Sequence, residues 1–117
     1  DLVIDKAFEY ICSGCPLLER VIIYNIYKLT DGIFENLFKC KNLRYLNIRY
    51  NGNITGIHFD EIPTHLVHLE TLHIYSEKLN MQYLEKIQTK MPKLKIECER
   101  YDASFLINSG ETIFKPE

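Results

Sequence analysis

The sequence predicts an α/β fold in which short strands alternate with helices, so that the strands form a curved parallel sheet with the helices on its convex side. Three observations predict it. A short motif recurs along the chain, apolar residues alternate with polar ones inside the motif, and apolar residues follow helical spacing between its copies. With 117 residues and 46% hydrophobic content, the chain has room for one folded domain.

The motif has the form C/L-x-x-L-x-x-L-x-I, and its copies begin near residues 15, 40, 66 and 91. The copy that begins at Met91 fits when one residue is deleted after Lys95, which aligns Ile96 and Cys98 with Leu46 and Ile48. The first leucines of the four copies are Leu18, Leu43, Leu69 and Leu94. Their interval of 25 or 26 residues falls within the ~20–29 residues of leucine-rich repeats. The sequence therefore predicts a leucine-rich-repeat solenoid segment of about four repeats over residues 1–98.

Between the copies, each helical segment is preceded by a residue that commonly caps a helix. Asp5 has this place in the partial unit of residues 1–14, and Asn80 has it before the last predicted helix. In the segment 29–38 the capping residue is Thr30 or Asp31. Pro63 interrupts the helical pattern of the next unit, so we expect a short helix there.

The two ends of the chain depart from the repeat. Residues 1–14 correspond to the loop and helix of a unit whose strand would precede Asp1, so we expect further repeats upstream. Residues 99–117 are predicted to form a C-terminal cap or tail, and the chain leaves the register from Tyr101 onward. Within them, Asn108-Ser109-Gly110 separates two apolar runs, which predicts a hairpin or a strand-like tail.

Composition excludes several classes of function. The 14 Lys and Arg residues against 16 Asp and Glu residues give a net charge of −2, which does not favour nucleic acid as a partner. The longest purely apolar run is 21–24, far short of the roughly 20 residues that cross a membrane. The four cysteines are not needed as disulfide staples in a chain of this size, so we expect an intracellular setting, cytoplasmic or nuclear.

Two interpretations of the cysteines are open. Cys12-x-x-Cys15 has the spacing of half a zinc site. The alternative, which we favour, is that Cys15 and Cys40 are core thiols, because they occupy the same position of the repeat, and that Cys98 also points inward. We therefore expect no metal and no cofactor. The sequence contains no Gly-rich phosphate loop and no nucleophile elbow, so we predict no catalytic residue and no enzymatic activity.

The run Leu29-Thr30-Asp31-Gly32-Ile33, followed by Cys40-x-x-Leu43-x-x-Leu46-x-Ile48, resembles the cysteine-containing leucine-rich repeat of F-box proteins. The resemblance extends over residues 2–98, although Leu66 and Met91 replace the motif's Cys in the last two units. It implies a substrate-binding part of a ubiquitin-ligase receptor. In that family an F-box upstream of the repeats recruits the ligase core.

Strand residues that alternate with the inward leucines are predicted to line the concave face of the sheet and to bind another protein. Tyr and Arg among them are the residue types that dominate protein interfaces. The predicted contact residues are Arg20, Ile22, Tyr24, Tyr45, Asn47, Arg49, His73, Tyr75 and Glu97. Two roles are open for this face: recruitment of a ligase substrate, or a structural role in which the repeats clamp a subunit of a stable complex.

Overall fold

The structure, a computed structural model, describes residues 2–26, 28–49, 53–99, 103–108 and 111–116. Its elements are α1 (Leu2–Gly14), β1 (Arg20–Tyr24), α2 (Ile33–Leu37), β2 (Tyr45–Arg49), a 3-10 turn (Phe59–Glu61), α3 (Ile62–His65), β3 (Thr71–Tyr75), α4 (Met81–Lys90), β4 (Lys95–Glu99), β5 (Ala103–Asn108) and β6 (Glu111–Pro116). The predicted α/β class is therefore confirmed. In the described part of the chain, no helix is long and apolar enough to span a membrane.

All six strands form one sheet in the order of the sequence, from β1 to β6. Strands β1 to β4 run parallel, as short strands joined through helical segments must. Strands β5 and β6 are antiparallel and form the predicted hairpin, whose residues 109–110 lie outside the described residues. Because β5 pairs along β4, the hairpin continues the sheet beyond the last parallel strand.

The parallel strands pair so that equivalent motif positions lie side by side. Leu46 of β2 pairs with Val21 of β1 and with Leu72 of β3. Leu72 in turn pairs with Ile96, so Ile96 aligns with Leu46 as predicted. Lys95 pairs with Thr71, however, which places the one-residue deletion before Lys95 and not after it. Each inward side chain therefore stacks on its counterparts in the neighbouring strands.

A turn with the same hydrogen bond precedes each parallel strand. The carbonyl oxygen of the first motif residue accepts a hydrogen bond from the amide of the residue three positions later, at 3.1, 3.0, 3.0 and 3.0 Å. The accepting residues are Cys15, Cys40, Leu66 and Met91. Because this turn fixes the entry into the strand, the same alternation of side chains follows in every unit.

The core lies between the inner face of the parallel strands and the helical layer. Leu46 and Ile48 of β2 are fully buried, and the Phe34 ring of α2 packs edge-on against Phe59 with 5.2 Å between ring centroids. The first unit is less enclosed, as the half-buried side chain of Val21 shows. Because β1 is the first of the described strands, its inner face has a described strand beside it on one side only.

The helix starts agree only in part with the predicted caps. Asn80 caps α4 as predicted, since its side chain accepts a hydrogen bond from the Gln82 amide at 3.0 Å. Asp5 lies in the first turn of α1, because that helix already begins at Leu2. The prediction for α2 is wrong, because α2 begins at Ile33 and no side chain caps it.

Asp31 instead joins two successive units. Its carboxylate oxygens accept hydrogen bonds from the Thr55 amide at 3.1 Å, the Thr55 hydroxyl at 2.8 Å and the Gly56 amide at 3.0 Å. Gly56 has a φ of 92°, and a Cβ there would lie 3.1 Å from the Phe59 ring, so glycine is required at this turn. The carboxylate thereby holds the loop of one unit against the loop of the next.

Pro63 does not interrupt a helix as expected. It lies in the first turn of α3, where its missing amide leaves no intrahelical hydrogen bond unmade. The 3-10 turn that precedes it supplies Phe59 to the core, and Ile62 at the start of α3 is also buried. The helix is short, as predicted, since it ends at His65.

Replacing Asp31 by Ala should lower the free energy of unfolding by about 2–4 kcal/mol, because three hydrogen bonds to a half-buried carboxylate are lost together. Urea unfolding followed by circular dichroism would measure the change. Asp60→Ala is the matched control, since Asp60 is exposed, and it should change stability by less than about 0.5 kcal/mol. Equal effects of the two substitutions would contradict a clamping role for Asp31.

Candidate functional site

The candidate site is the face of the parallel sheet opposite the core, here called the outer face. It consists of Arg20, Ile22, Tyr24, Tyr45, Asn47, Arg49, Thr71, His73, Tyr75, Lys95 and Glu97. Strand pairing places these residues in rows across the sheet, and the nine predicted contact residues are among them. One row is Arg20, Tyr45, Thr71 and Lys95, and the central row is Ile22, Asn47, His73 and Glu97.

Two arginine–tyrosine stacks lie on the outer face between β1 and β2. The guanidinium carbon of Arg20 is 4.1 Å from the centroid of the Tyr45 ring. The guanidinium carbon of Arg49 is 4.9 Å from the centroid of the Tyr24 ring. The two stacks have opposite directions, since the arginine comes from β1 in one and from β2 in the other. Stacking of this kind stabilises each exposed pair by about 0.5–1 kcal/mol. It therefore restricts the long side chains before a partner binds.

The central row is less exposed than the sequence prediction assumes. Asn47 is buried because Tyr45 reaches along the strand toward it, and the Asn47 amide donates a hydrogen bond to the Tyr45 hydroxyl at 3.1 Å. His73 is also buried, with its Nδ1 atom 3.3 Å from the Glu97 carboxylate. Asn47 and His73 therefore support the rows on either side of them. Ile22 is the exposed member of the central row, with 58% of its surface accessible.

A shallow cleft of about 260 Å³ borders the outer face at the start of the strands. Arg44 crosses it, with its Nε 2.9 Å from Glu19 and its Nη1 3.4 Å from Glu70. All three side chains are more than half exposed, so these ion pairs add little to stability. The cleft also includes Arg20 and Tyr45, so charged and aromatic groups meet there.

Sequence reasoning missed this charged border. Glu19, Arg44 and Glu70 occupy the same motif position in successive units, with charges that alternate in sign. In a parallel sheet, residues at the same repeat position become neighbours, so the alternation could have predicted the two ion pairs.

The four cysteines are free thiols in different environments. Cys40 and Cys98 are buried, as predicted, but Cys15 is exposed, because its unit has no preceding unit in the described chain to cover it. Cys12 of α1 is buried instead and lies next to Cys40. Burial, with the Cys40 contact adding to it, raises the pKa of the Cys12 thiol to about 12.

The half zinc site that the Cys12-x-x-Cys15 spacing suggests does not form. One thiol is enclosed in the core and the other faces solvent, so the two do not converge on a common ligand position. Within the described ranges, no three His, Cys, Asp or Glu side chains are grouped so that they could hold a metal ion.

Comparison of the chain with models of known protein families and with curated proteins found no match. The resemblance to the repeats of F-box proteins thus stays a prediction from the sequence. The placement of the outer-face residues follows from strand pairing and does not depend on that resemblance.

Cys15 should be the one thiol that reacts fast when the folded chain meets an aromatic disulfide reagent at pH 8. Cys12, Cys40 and Cys98 should react only as fast as the protein opens, because they are buried and the pKa of Cys12 is raised. Stopped-flow absorbance would count one fast thiol in buffer and four in denaturant. Raising the pH from 8 to 10 should not expose Cys12 to labelling, since its pKa is about 12.

The control for this measurement is Cys15→Ser, which should remove the fast phase and leave the slow phases unchanged. A fast phase that survives in this variant would show that one of the thiols assigned to the core is accessible.

Proposed function

We propose that the chain is a non-catalytic protein-recognition module and that the outer face of its parallel sheet is the binding surface. The observation that carries this proposal is the pair of Arg–Tyr stacks, Arg20 with Tyr45 and Arg49 with Tyr24. Tyrosine and arginine provide large contact areas with polar ends, and they are enriched among residues that dominate binding energy. Stacked against each other, they lose little further freedom when a partner binds.

The surroundings of the stacks support the same role. The buried Asn47 and His73 hold the middle of the face, so a partner meets a surface whose shape is already set. Exposed Ile22 supplies an apolar contact beside Tyr24. At the far side of the face, Lys95 is 3.2 Å from Glu97, so the surface changes from aromatic and basic to mixed charge across the four strands. A partner with acidic and apolar groups opposite β1 and β2 would fit this arrangement.

We further propose that the fold is a leucine-rich-repeat solenoid, as the repeat interval in the sequence indicates. The repeated turn before each strand and the stacking of Val21, Leu46, Leu72 and Ile96 support this assignment. Solenoids of this type commonly bind partners through the face formed by their strands.

The specific form of the proposal is recruitment of a substrate protein to a ubiquitin ligase, through an F-box outside this chain. What supports it is the resemblance of the sequence from Leu29 to Ile48 to the cysteine-containing repeat of F-box proteins. Asp31, a residue of that motif, joins neighbouring units through Thr55, which is consistent with a structural reason for the motif. The second candidate is a structural role in which the same face holds a subunit of a stable complex.

Photo-cross-linking tests the binding surface while the partner is still unidentified. Benzoylphenylalanine in place of Tyr75 on the outer face should give a defined protein adduct in cell extract, identified by mass spectrometry. The same residue in place of Gln82, exposed on α4, should give none of that adduct. Equal adducts from both positions would contradict the assignment of the outer face.

Once the partner is identified, alanine substitution of Tyr45, Arg49 and Tyr75 together should weaken its binding at least tenfold, measured by calorimetry, while the circular dichroism spectrum stays unchanged. The matched control replaces Gln82, Glu85 and Lys86 on α4, all exposed, and should leave affinity intact. A partner whose ubiquitination requires the protein that contains this chain would support the ligase role. A partner that copurifies stoichiometrically and is not ubiquitinated would support the structural role.

A further inference from the structure

Four lysines and two histidines share one edge of the molecule, where the helices end and the turns into the strands begin. They occupy three repeat positions, the residue before each motif and the motif's second and third residues, at which the chain has no Asp or Glu. The set is called the basic edge and consists of Lys39, Lys41, His65, His68, Lys90 and Lys93. All are exposed except His65, which is half-buried and stacks on Phe38.

The basic edge lies on units that have described neighbours. Its residues belong to the units of β2, β3 and β4, each of which has a described strand on both sides. Residues at equivalent positions of successive units are neighbours, so the side chains of the edge approach one another. Lys41 shows this, since its Nζ lies 3.2 Å from Nδ1 of His65 in the next unit.

The charges of the four lysines are not balanced by carboxylates. Lys39, Lys90 and Lys93 form no ion pair with any other described residue. Lys41 contacts an imidazole, and because an ammonium group only donates, Nδ1 of His65 accepts from it. Like charges gathered in this way repel one another, so a bound anion would relieve the repulsion.

Helix stability explains only one of the four lysines. Lys90 ends α4, a helix of 10 residues, where a positive charge complements the helix dipole. The helix before Lys39 has five residues, so its dipole is small. Lys41 and Lys93 lie beyond the helices, in the turns that lead into β2 and β4. The lysines therefore have a common feature that the fold does not require.

We propose that the basic edge binds an acidic segment of a partner protein, whose Asp or Glu carboxylates pair with the lysines. Parallel strands lie about 4.8 Å apart, so the lysines of the three units extend over roughly 10 Å across the sheet. An extended segment of about three or four residues covers this distance.

The charges around the basic edge favour a short acidic peptide over a nucleic acid. Glu19 and Glu70 lie at the next repeat position but one, and both are more than half exposed although Arg44 pairs with them. A long phosphate backbone would meet these carboxylates and a chain of net charge −2. A short peptide contacts the lysines alone.

The acidic segment does not depend on the proposed function, because the basic edge and the outer face share no residue. Alanine substitution of Tyr45, Arg49 and Tyr75 should leave binding to the basic edge unchanged. Failure of either proposal therefore leaves the other one standing.

Fluorescence anisotropy of a fluorescein-labelled octapeptide, in which glutamate alternates with serine, tests the proposal on the chain as it is. Binding should saturate, and the dissociation constant should rise at least tenfold from about 20 to about 200 mM salt, because exposed charge pairs are screened. In amide NMR spectra the peptide should shift the signals of residues 39–41, 65–68 and 90–93 and leave those of α1 unchanged. Absence of saturable binding, or shifts elsewhere only, would overturn the proposal.

Replacing Lys39, Lys41 and Lys93 together by Gln should raise the dissociation constant of the octapeptide at least tenfold, while the circular dichroism spectrum stays unchanged. The matched control removes the same number of charges from three exposed lysines outside the basic edge, Lys6, Lys78 and Lys86. It should leave the dissociation constant within about twofold of that of the unsubstituted chain, because these lysines do not contact the peptide. Equal weakening by the two triple variants would show a general effect of net charge and would overturn the proposal.

A labelled oligothymidylate of the same length separates the two kinds of anion. It should bind more weakly than the octapeptide at equal salt concentration. Tighter binding of the oligothymidylate, lost in the variant of Lys39, Lys41 and Lys93, would overturn the assignment of an acidic peptide to the basic edge.

Discussion

The structure depends on one constraint, the in-register stacking of equivalent side chains in parallel strands that begin at Arg20, Tyr45, Thr71 and Lys95. Side chains alternate between the two faces of a strand, so a single register decides both what is buried and what is exposed. The repeated turn before each strand sets that register. The Asp31 carboxylate holds the loops of two successive units against each other through the Thr55 and Gly56 amides. The core and the outer face are therefore two consequences of the same pairing.

The same constraint explains why the first described unit is more exposed than the units that follow it. A stack of units gives each interior strand two neighbours, and the residues of β2 and β3 are accordingly enclosed. The first strand has one neighbour among the described strands, which leaves Ile22 exposed and Cys15 in solvent. Arg20 and Tyr24 of that strand each take part in one of the two Arg–Tyr stacks, so the first strand contributes to the outer face although it is less enclosed.

Features that repeat could be predicted from the sequence, and features that depend on one contact could not. The rows of the outer face and the alignment of Ile96 and Cys98 with the earlier strands follow from motif alignment, because the strand period is fixed at two. The role of Asp31 was missed, since a carboxylate before a helix is an ordinary cap and only the folded loops bring Thr55 to it. Burial of Asn47 and His73 depends on the reach of neighbouring side chains, and exposure of Cys15 depends on its terminal unit; neither is a local property of the motif.

Equilibrium unfolding of two variants in adjacent positions of β3 tests the central register most directly. Leu72 is fully buried and its neighbour Thr71 lies on the outer face, so Leu72→Ala should lower the free energy of unfolding by about 2–5 kcal/mol and Thr71→Ala by less than about 1 kcal/mol. Urea titration of both variants and of the unsubstituted chain gives the free energies of unfolding to be compared. A larger loss for Thr71→Ala than for Leu72→Ala would contradict the account, because it would mean that the two faces of the sheet are interchanged.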